Sequence, residues 1–206
     1  MYVAEQRRPR AATAEKRRRL LDATEEIMLE DGYAAVTSRS VAARVGINAP
    51  LVHYYFPTLD DLFIAVLDRR SGPNVDRLTE AFDSDEPLLT WWRLASDRRG
   101  AALFVELIAA ANHRPLLKAE VGQVAQRVRK VQVERLPKLL DEYGLDGDEF
   151  TPVLVAAAMQ GLAFGLVQDQ TAGYDTAADD AADAMVRLLE RLEHRRSAAL
   201  KKSTSK

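Results

Sequence analysis

Apolar residues recur at three- and four-residue steps through most of the chain, which is the spacing of one face of an α-helix. The first such run covers residues 14–31, where Thr13 can cap the start and Gly32 can end the helix. Further helices are predicted at 38–45, from 49, from 58 or 59 to 82 with a break or kink at Ser71-Gly72-Pro73, and at about 86–98, 100–112, 115–143, 148–170 and 175–196. No segment alternates with the two-residue period of a β-strand. The pattern predicts an all-α protein of about nine helices.

The segment that joins the second and third predicted helices has the features of a helix-turn-helix. Ala42 is small, as required where two helices approach closely, and Gly46 lies at the turn, where a positive φ favours glycine. Asn48 can cap the next helix, and Pro50 is tolerated in its first turn because that N–H has no intrahelical partner. The third helix would then face outward, and one α-helix fits the major groove of B-DNA. The alternative is an ordinary helical hairpin of a core.

Positive charge is concentrated at the N-terminus. The formal net charge is −2, yet residues 1–20 hold seven Arg and Lys against two Glu, which makes this segment +5 and the remainder −7. A basic end on an acidic chain is typical of a local contact with phosphates. A solvated basic tail has the same composition. A core hairpin, however, gives no reason for the small residue, the turn glycine, the Asn cap and the basic segment to occur together.

Several kinds of chemistry are excluded or disfavoured. The chain has no cysteine, which excludes disulfides, thiolate zinc sites and cysteine nucleophiles. Its histidines, His53, His113 and His194, lie in separate segments, Glu106 and Asp169 are isolated carboxylates, and no hydrolase or phosphate-loop motif occurs. No stretch approaches the roughly 18 apolar residues of a membrane span. We expect a soluble, cytoplasmic protein without enzyme activity, metal, cofactor or membrane partner.

The same region resembles the TetR family of transcriptional regulators. The resemblance is carried by Gly32-Tyr33, Val36-Thr37, Val41-Ala42, Val45-Gly46-Ile47, Val52-His53-Tyr54-Tyr55-Phe56 and Asp61-Leu62-Phe63, and it is specific over about residues 14–67. It implies a helix-turn-helix DNA-binding domain over 14–57 and a larger helical ligand-binding and dimerisation domain over 58–196. Residues 1–13 are expected to form a flexible basic arm, and the small, polar and basic residues 197–206 a disordered tail.

The resemblance also implies DNA contacts that side-chain chemistry supports. Thr37 and the free N–H groups after it can hold a phosphate, and the fork of Arg39 matches two acceptors of guanine. Phe56 is expected to pack inward. The expected contact residues are Arg17, Thr37, Ser38, Arg39, Asn48, Ala49, Pro50, His53, Tyr54 and Tyr55.

Two departures from the family pattern shift these expectations. His53 stands where the family usually has an aromatic hydroxyl, and Leu59 stands where it usually has a phosphate-binding lysine. The basic residues of the segment 7–19 are therefore expected to supply part of the backbone affinity. Residues 49–55 contain no Arg, Lys or Gln, so base reading is expected to rest on Arg39 and on DNA shape.

For the rest of the chain the resemblance implies a homodimer through the last two helices, which lets two half-sites of a palindromic operator be read together. An internal Ala-rich core is the alternative for these helices. The middle helices would enclose a pocket for a small apolar or aromatic effector, with many of its candidate residues equally suited to a plain core. Candidates are Trp91, Trp92, Phe104, Leu107, Asn112, His113, Met159, Gln160 and Phe164. The implied function is a ligand-responsive repressor; a ligand-independent or partner-regulated DNA-binding protein is the alternative.

Overall fold

The computed structural model describes residues 7–145 and 147–204, and in this part of the chain it contains nine α-helices and no strand. The helices are α1 Arg7–Asp31, α2 Ser38–Val45, α3 Ala49–Tyr55, α4 Leu59–Phe82, α5 Pro87–Ala95, α6 Arg98–Ala111, α7 Pro115–Glu142, α8 Pro152–Thr171 and α9 Asp175–Thr204. A 3₁₀ turn, Tyr33–Ala35, lies between α1 and α2. The all-α prediction is confirmed.

Both ends of the chain are more helical than predicted. Helix α1 begins at Arg7, inside the segment expected to be a flexible arm, and α9 continues to Thr204, inside the segment expected to be a disordered tail. Arg, Ala, Leu and Lys dominate both extensions and are good helix formers. Pro9 interrupts no hydrogen bond because it lies in the first turn of α1. Residues 1–6 and 205–206 lie outside the described part.

Helix α4 does not end at Ser71-Gly72-Pro73. It runs without a break to Phe82 with Pro73 inside it, although a proline there removes one backbone donor. The contacts nevertheless divide the chain at this point into two compact units. The first unit comprises the residues up to Ser71 together with Ala102–Gly122, and the second comprises Gly72–Ala101 and the residues from Gln123 onward.

The first unit contains the predicted helix-turn-helix. Its buried apolar side chains include Leu20, Leu21, Ile27, Met28, Val41, Val52, Phe56, Leu62, Phe63, Leu103, Leu107 and Leu117. A buried carboxylate joins two of its helices. Glu25 of α1 is only 4% exposed and accepts hydrogen bonds from Arg69 Nε at 2.9 Å and from Arg70 Nη2 at 2.7 Å, both on α4. The middle of α4 is thereby held to α1 by ionic contacts.

The second unit has its own hydrophobic core, called here the C-terminal core. It is built from the end of α4 and from α5, α7, α8 and α9, with Leu78, Phe82, Leu88, Leu89, Trp91, Trp92, Leu136, Leu139, Tyr143, Ala156, Met159, Ala163, Leu166, Ala178 and Leu189 among its members. The ring edge of Phe82 meets Trp91 with centroids 5.2 Å apart. Two of the predicted ligand-binding residues, Trp91 and Trp92, are therefore core residues of this unit.

A buried carboxylate also completes the start of α5. Glu86, at the N-cap of α5, makes no side-chain cap hydrogen bond. Instead Glu193 of α9, which is 2% exposed, accepts from the backbone N–H groups of Leu88 at 2.9 Å and Leu89 at 3.2 Å, and from the Tyr143 hydroxyl at 2.5 Å. Free N–H groups of the first turn are satisfied in this way by a residue from the far end of the chain.

Helix α8 is more apolar than the sequence analysis allowed. Over Pro152–Gln170 it is long and apolar enough, with a mean hydropathy of 1.3, to cross a membrane by length and composition, the one described helix with this property. A core helix passes the same test, so the criterion is weak evidence for a span. Ala156, Met159 and Ala163 of α8 are buried in the C-terminal core.

Candidate nucleic-acid interface

Local hydrogen bonds fix both ends of α2. The Thr37 hydroxyl accepts from the Ser40 N–H at 3.0 Å, and the Ser40 hydroxyl accepts from the Thr37 N–H at 2.9 Å, which is a capping box. At the other end Gly46 has a φ of +74°, and the Ile47 N–H donates to the Ala42 carbonyl at 2.9 Å. The positive φ predicted for Gly46 is confirmed, and the turn sets the direction in which α3 begins.

Helix α3 begins at a side-chain cap and presents one face to solvent. Asn48 Oδ1 accepts from the Leu51 N–H at 3.3 Å, which leaves the Asn48 amide donors free of the cap. Val52 and Phe56 are buried, whereas Tyr54 is 76% exposed and Pro50 and His53 are also exposed. The inward Phe56 and the outward face of α3 agree with the sequence analysis.

Arg17 extends this surface from α1. Its guanidinium lies 5.1 Å from the centroid of the Phe56 ring, directly after the C-terminus of α3. Cations stack favourably on aromatic rings, and positive charge is favoured at a helix C-terminus. Arg17 remains exposed, so its N–H groups stay accessible to an anion.

Other basic residues near this surface already have partners. Arg18 pairs with Glu15 at 2.7 Å within α1, and this hydrogen bond lowers the pKa of the Glu15 carboxyl. Arg19 Nη2 donates to the Val45 carbonyl at 3.1 Å and so caps α2, while Arg44 pairs with Glu30 at 2.9 Å. Arg18, Arg19 and Arg44 thus each have a partner within the protein.

The remaining cations form a smaller set. Lys16 and Arg39 are exposed and make no ion pair with the residues that the structure describes, and Arg17 stacks on the Phe56 ring. Arg7, Arg8 and Arg10 were part of the predicted arm, but their side chains lie outside the described residues. Lys16, Arg17 and Arg39 are thus the described cations near α2 and α3 that are available to DNA.

His53 has a defined ring orientation. Its Nδ1 lies 3.3 Å from the Pro57 carbonyl oxygen, a geometry in which Nδ1–H donates and Nε2 is directed elsewhere. His53 is thereby held at the C-terminal end of α3, and its side chain stays exposed.

The predicted ligand-binding residues are divided between the two units. Trp91, Trp92, Met159, Gln160 and Phe164 belong to the second unit, where the first three are buried in the C-terminal core. The other four, Phe104, Leu107, Asn112 and His113, belong to the first unit. Asn112 and His113 are exposed, and the His113 ring stacks on Tyr33 with centroids 6.5 Å apart. The structure does not bring all nine together within one unit.

Sequence reasoning missed the partners of Glu106. The sequence analysis treated this residue as an isolated carboxylate, but its Oε2 accepts from the Tyr33 N–H at 2.7 Å, directly after Gly32 with its φ of +81°. Arg114 similarly pairs with Asp60 at 2.6 Å. These residues connect α6 and its C-terminal end with the helix-turn-helix and with the start of α4. No local pattern indicates such contacts, since 73 residues separate Tyr33 from Glu106.

Comparison with known proteins places these features in context. The family model described as "Bacterial regulatory proteins, tetR family" matches residues 20–66, which run from α1 through α2 and α3 into α4. The transcriptional repressor KstR of Rhodococcus jostii is 28% identical over 130 residues, covering 63% of this chain and 58% of that protein. KstR of Mycolicibacterium smegmatis is 40% identical over 58 residues, 28% of each protein. The chain thus spans less than two thirds of the length of these relatives.

Solved structures extend the likeness to the whole fold. A crystal structure from Rhodococcus sp., described as a TetR-family transcriptional regulator, aligns over 87% of this chain and 99% of its own with a TM-score of 0.66. Its sequence identity is 17%, so this likeness establishes the fold. The family model thus covers α1 to α4, and the structural match extends the shared fold to most of the chain.

Proposed function

We propose that this chain, whose residues 20–66 match the TetR-family model, is a dimeric repressor that binds a palindromic operator and is released by a small apolar effector. The outward face of α3 carries this proposal. Val52 and Phe56 anchor α3 from below, and Tyr54 is the most exposed of its large side chains. A helix held in this way fits the major groove, with Arg39 of α2 as the base-reading residue. The name repressor, carried by the KstR relatives, supports the sense of regulation.

The operator is to be found by selecting bound DNA from a random pool with the full-length protein. Two inverted half-sites should be enriched, because a single recognition helix covers too little DNA for high specificity. Enrichment of a palindrome supports both the DNA-binding function and a twofold-symmetric reader. If the pool after selection has the composition of the starting pool, the proposed function is wrong.

Exposed apolar residues on the last two helices support the dimer. Val153, Leu154 and Leu162 of α8 and Leu188 of α9 are exposed, beyond the faces that these helices turn to the C-terminal core. Large apolar side chains exposed on neighbouring helices are a feature of interaction surfaces. We infer that the second copy covers it.

Sedimentation at micromolar concentration tests the dimer. The variant Leu154→Glu places a charge on the proposed interface and should sediment as a monomer. The matched control Leu116→Glu changes a residue of α7 that is equally apolar and exposed, and this variant should remain dimeric. A wild-type monomer, or equal loss of the dimer in both variants, contradicts the proposed interface.

The apolar composition of the second unit supports an apolar or aromatic effector, although an effector-independent regulator is the alternative. Binding of such a molecule would favour a protein conformation with lower operator affinity. Operator titration with and without a saturating effector distinguishes an effector-responsive regulator from an effector-independent one. Coupling between the two sites appears as a change in the dissociation constant of the operator. A DNA partner implies a cytoplasmic location for the proposed regulator. The relatives are regulators, so they give no support to a proposal of enzyme activity.

A further inference from the structure

Two polar atoms of α7 are buried without a hydrogen-bond partner. Gln132 is only 1% exposed and its Oε1 accepts from no described residue; the Nη1 of Arg129 is buried and likewise donates to none. Both residues belong to the second unit. Since residues three apart lie side by side on a helix, the guanidinium and the amide oxygen share one face of α7.

This face of α7 leads into the C-terminal core. Leu136, one turn after Gln132, is fully buried in that core, and Val128, one turn before Gln132, packs against it. The two unpartnered atoms therefore lie along an apolar seam of the helix. On this face of α7, Arg129 is the charged residue and Gln132 the polar one, and their neighbours Val128 and Leu136 are aliphatic.

The lack of partners is unusual for this protein as well as for proteins in general. Nearly all buried polar atoms in folded proteins are hydrogen-bonded, because an unpaired one loses its water without compensation. Glu193, a buried charged residue of the same unit, accepts from Leu88, Leu89 and Tyr143. In the second unit the buried carboxylate of Glu193 is therefore fully hydrogen-bonded, whereas the Arg129 donor and the Gln132 acceptor on α7 are left for a ligand.

We propose that Arg129 and Gln132 bind the polar end of the effector, and that the effector is a hydroxycarboxylate with an apolar chain. The guanidinium Nη1–H donates to an anionic oxygen, and Gln132 Oε1 accepts from a hydroxyl. A carboxylate with a hydroxyl two carbons away supplies both groups on one molecule. Its apolar chain would pack along the aliphatic neighbours on the same face of α7, Val128 and Leu136. This inference rests on the proposed function, since it assigns the chemistry of the effector.

Three probes with the same chain length separate the two contacts. They are 3-hydroxydecanoate, decanoate and 1-decanol, and binding to the full-length protein is measured by calorimetry and by the fluorescence of Trp91 and Trp92, the two tryptophans of the chain. We expect 3-hydroxydecanoate to bind most tightly and decanoate about five- to tenfold more weakly, the effect of one hydrogen bond. 1-Decanol should bind about tenfold more weakly again, because it lacks the charge that Arg129 recognises.

Two variants assign each contact to its residue. Gln132→Met should lower the affinity for 3-hydroxydecanoate to that of decanoate and leave decanoate unchanged. Arg129→Met should remove the preference for decanoate over 1-decanol. Gln126→Met, an exposed change on the same helix, is the matched control and should alter neither ratio.

The thermal midpoint of the unliganded protein distinguishes ligand binding from a structural role. Replacing an unpaired buried acceptor with an apolar side chain of similar shape should leave the midpoint of Gln132→Met unchanged or raised. A lower midpoint with an unchanged ratio of probe affinities shows that a buried water satisfies these atoms, and it overturns the proposal.

Failure of all three probes to bind the wild-type protein also overturns the proposal. The proposed function is tested separately, because DNA selection and operator titration need no probe. A protein that binds its operator and none of the probes retains the proposed function and loses the assigned effector class. A protein that binds the probes with the expected ratios and selects no DNA retains the assigned ligand class and loses the proposed function.

Discussion

Arg17 of α1 stacks on Phe56, the residue that ends α3, with the guanidinium carbon 5.1 Å from the ring centroid. Phe56 is buried and anchors α3 from below, so one aromatic ring contacts the core on one side and an exposed cation on the other. The contact gives Arg17 a fixed position beside the recognition helix. The same residue can then serve both the fold and the DNA.

Arg17→Ala should weaken binding to every DNA sequence by a similar factor. A phosphate contact carries no base information, so its loss lowers the slope of log affinity against log salt by about 0.9 and leaves the base preference intact. Titrations at several salt concentrations measure both. Arg18→Ala is the control, because Arg18 is already paired with Glu15, and it should change the slope less. A sequence-dependent loss in Arg17→Ala would contradict the phosphate role.

Arg39→Ala should relax the base preference at one or two positions of each half-site. A bidentate contact with guanine discriminates against other bases by about 1–3 kcal/mol. Tyr55→Phe removes a phosphate donor and should weaken all sequences alike. Thr37→Ala is less informative, since it also removes the cap of α2. The affinity of each protein variant for a series of single-base operator variants measures the base preference. A uniform loss of affinity in Arg39→Ala would show that Arg39 does not read bases.

Glu25→Gln should lower the free energy of unfolding by about 2 kcal/mol. Removing one partner of a fully buried ion pair costs about 3–5 kcal/mol, and the effect is smaller here because Arg69 and Arg70 retain some contact with water. Their side chains are 27% and 33% exposed. Urea unfolding measures the change. The neighbouring Glu26→Gln, with a largely exposed side chain, should cost little, and equal losses in the two variants would rule out a special role of the buried carboxylate.

The stability of the protein should fall with rising pH above about 10. Burial, together with the hydrogen bond to Glu193, raises the pKa of the Tyr143 hydroxyl above its usual range. The unfolded chain therefore loses this proton first, and alkaline pH favours unfolding by at most about 1.4 kcal/mol per pH unit. Below the ordinary tyrosine pKa the contribution of Tyr143 is fully present. Tyr143→Phe should have a flatter pH profile in urea unfolding, whereas Tyr174→Phe, an exposed change, should follow the wild type.

Local signals in the sequence predicted the helix-turn-helix closely. Helix α2 occupies the predicted 38–45, and α3 begins at Ala49, because the ends of both are set by residues within a few positions: Thr37, Gly46 and Asn48. Boundaries that depend on propensity alone were less accurate. Helix α1 begins earlier than Thr13 and α4 continues past Pro73, since no capping residue is needed where strong helix formers or packing extend a helix.

Long-range partners had no sequence signal. The basic segment was predicted to supply part of the backbone affinity; in the structure Arg19 caps α2 and Arg18 pairs within α1, while Arg17 remains accessible. Glu106 and Glu193 each satisfy backbone N–H groups far away in the chain. Composition shows that such charges exist, and only the packed structure shows which of them are already neutralised.

The hydrogen bonds of Glu193 also determine when the second unit can be completed during synthesis. Leu88 leaves the ribosome long before its acceptor, which is encoded 105 residues later. Until α9 has emerged, the first turn of α5 lacks its protein partner and Trp91 and Trp92 lack part of their cover. The first unit is complete in sequence once Gly122 has been made, whereas the second unit lacks the acceptor for the start of α5 until Glu193 is added. A premature stop codon between Gly122 and Glu193 would therefore keep every residue of the first unit and remove the residue that completes the start of α5.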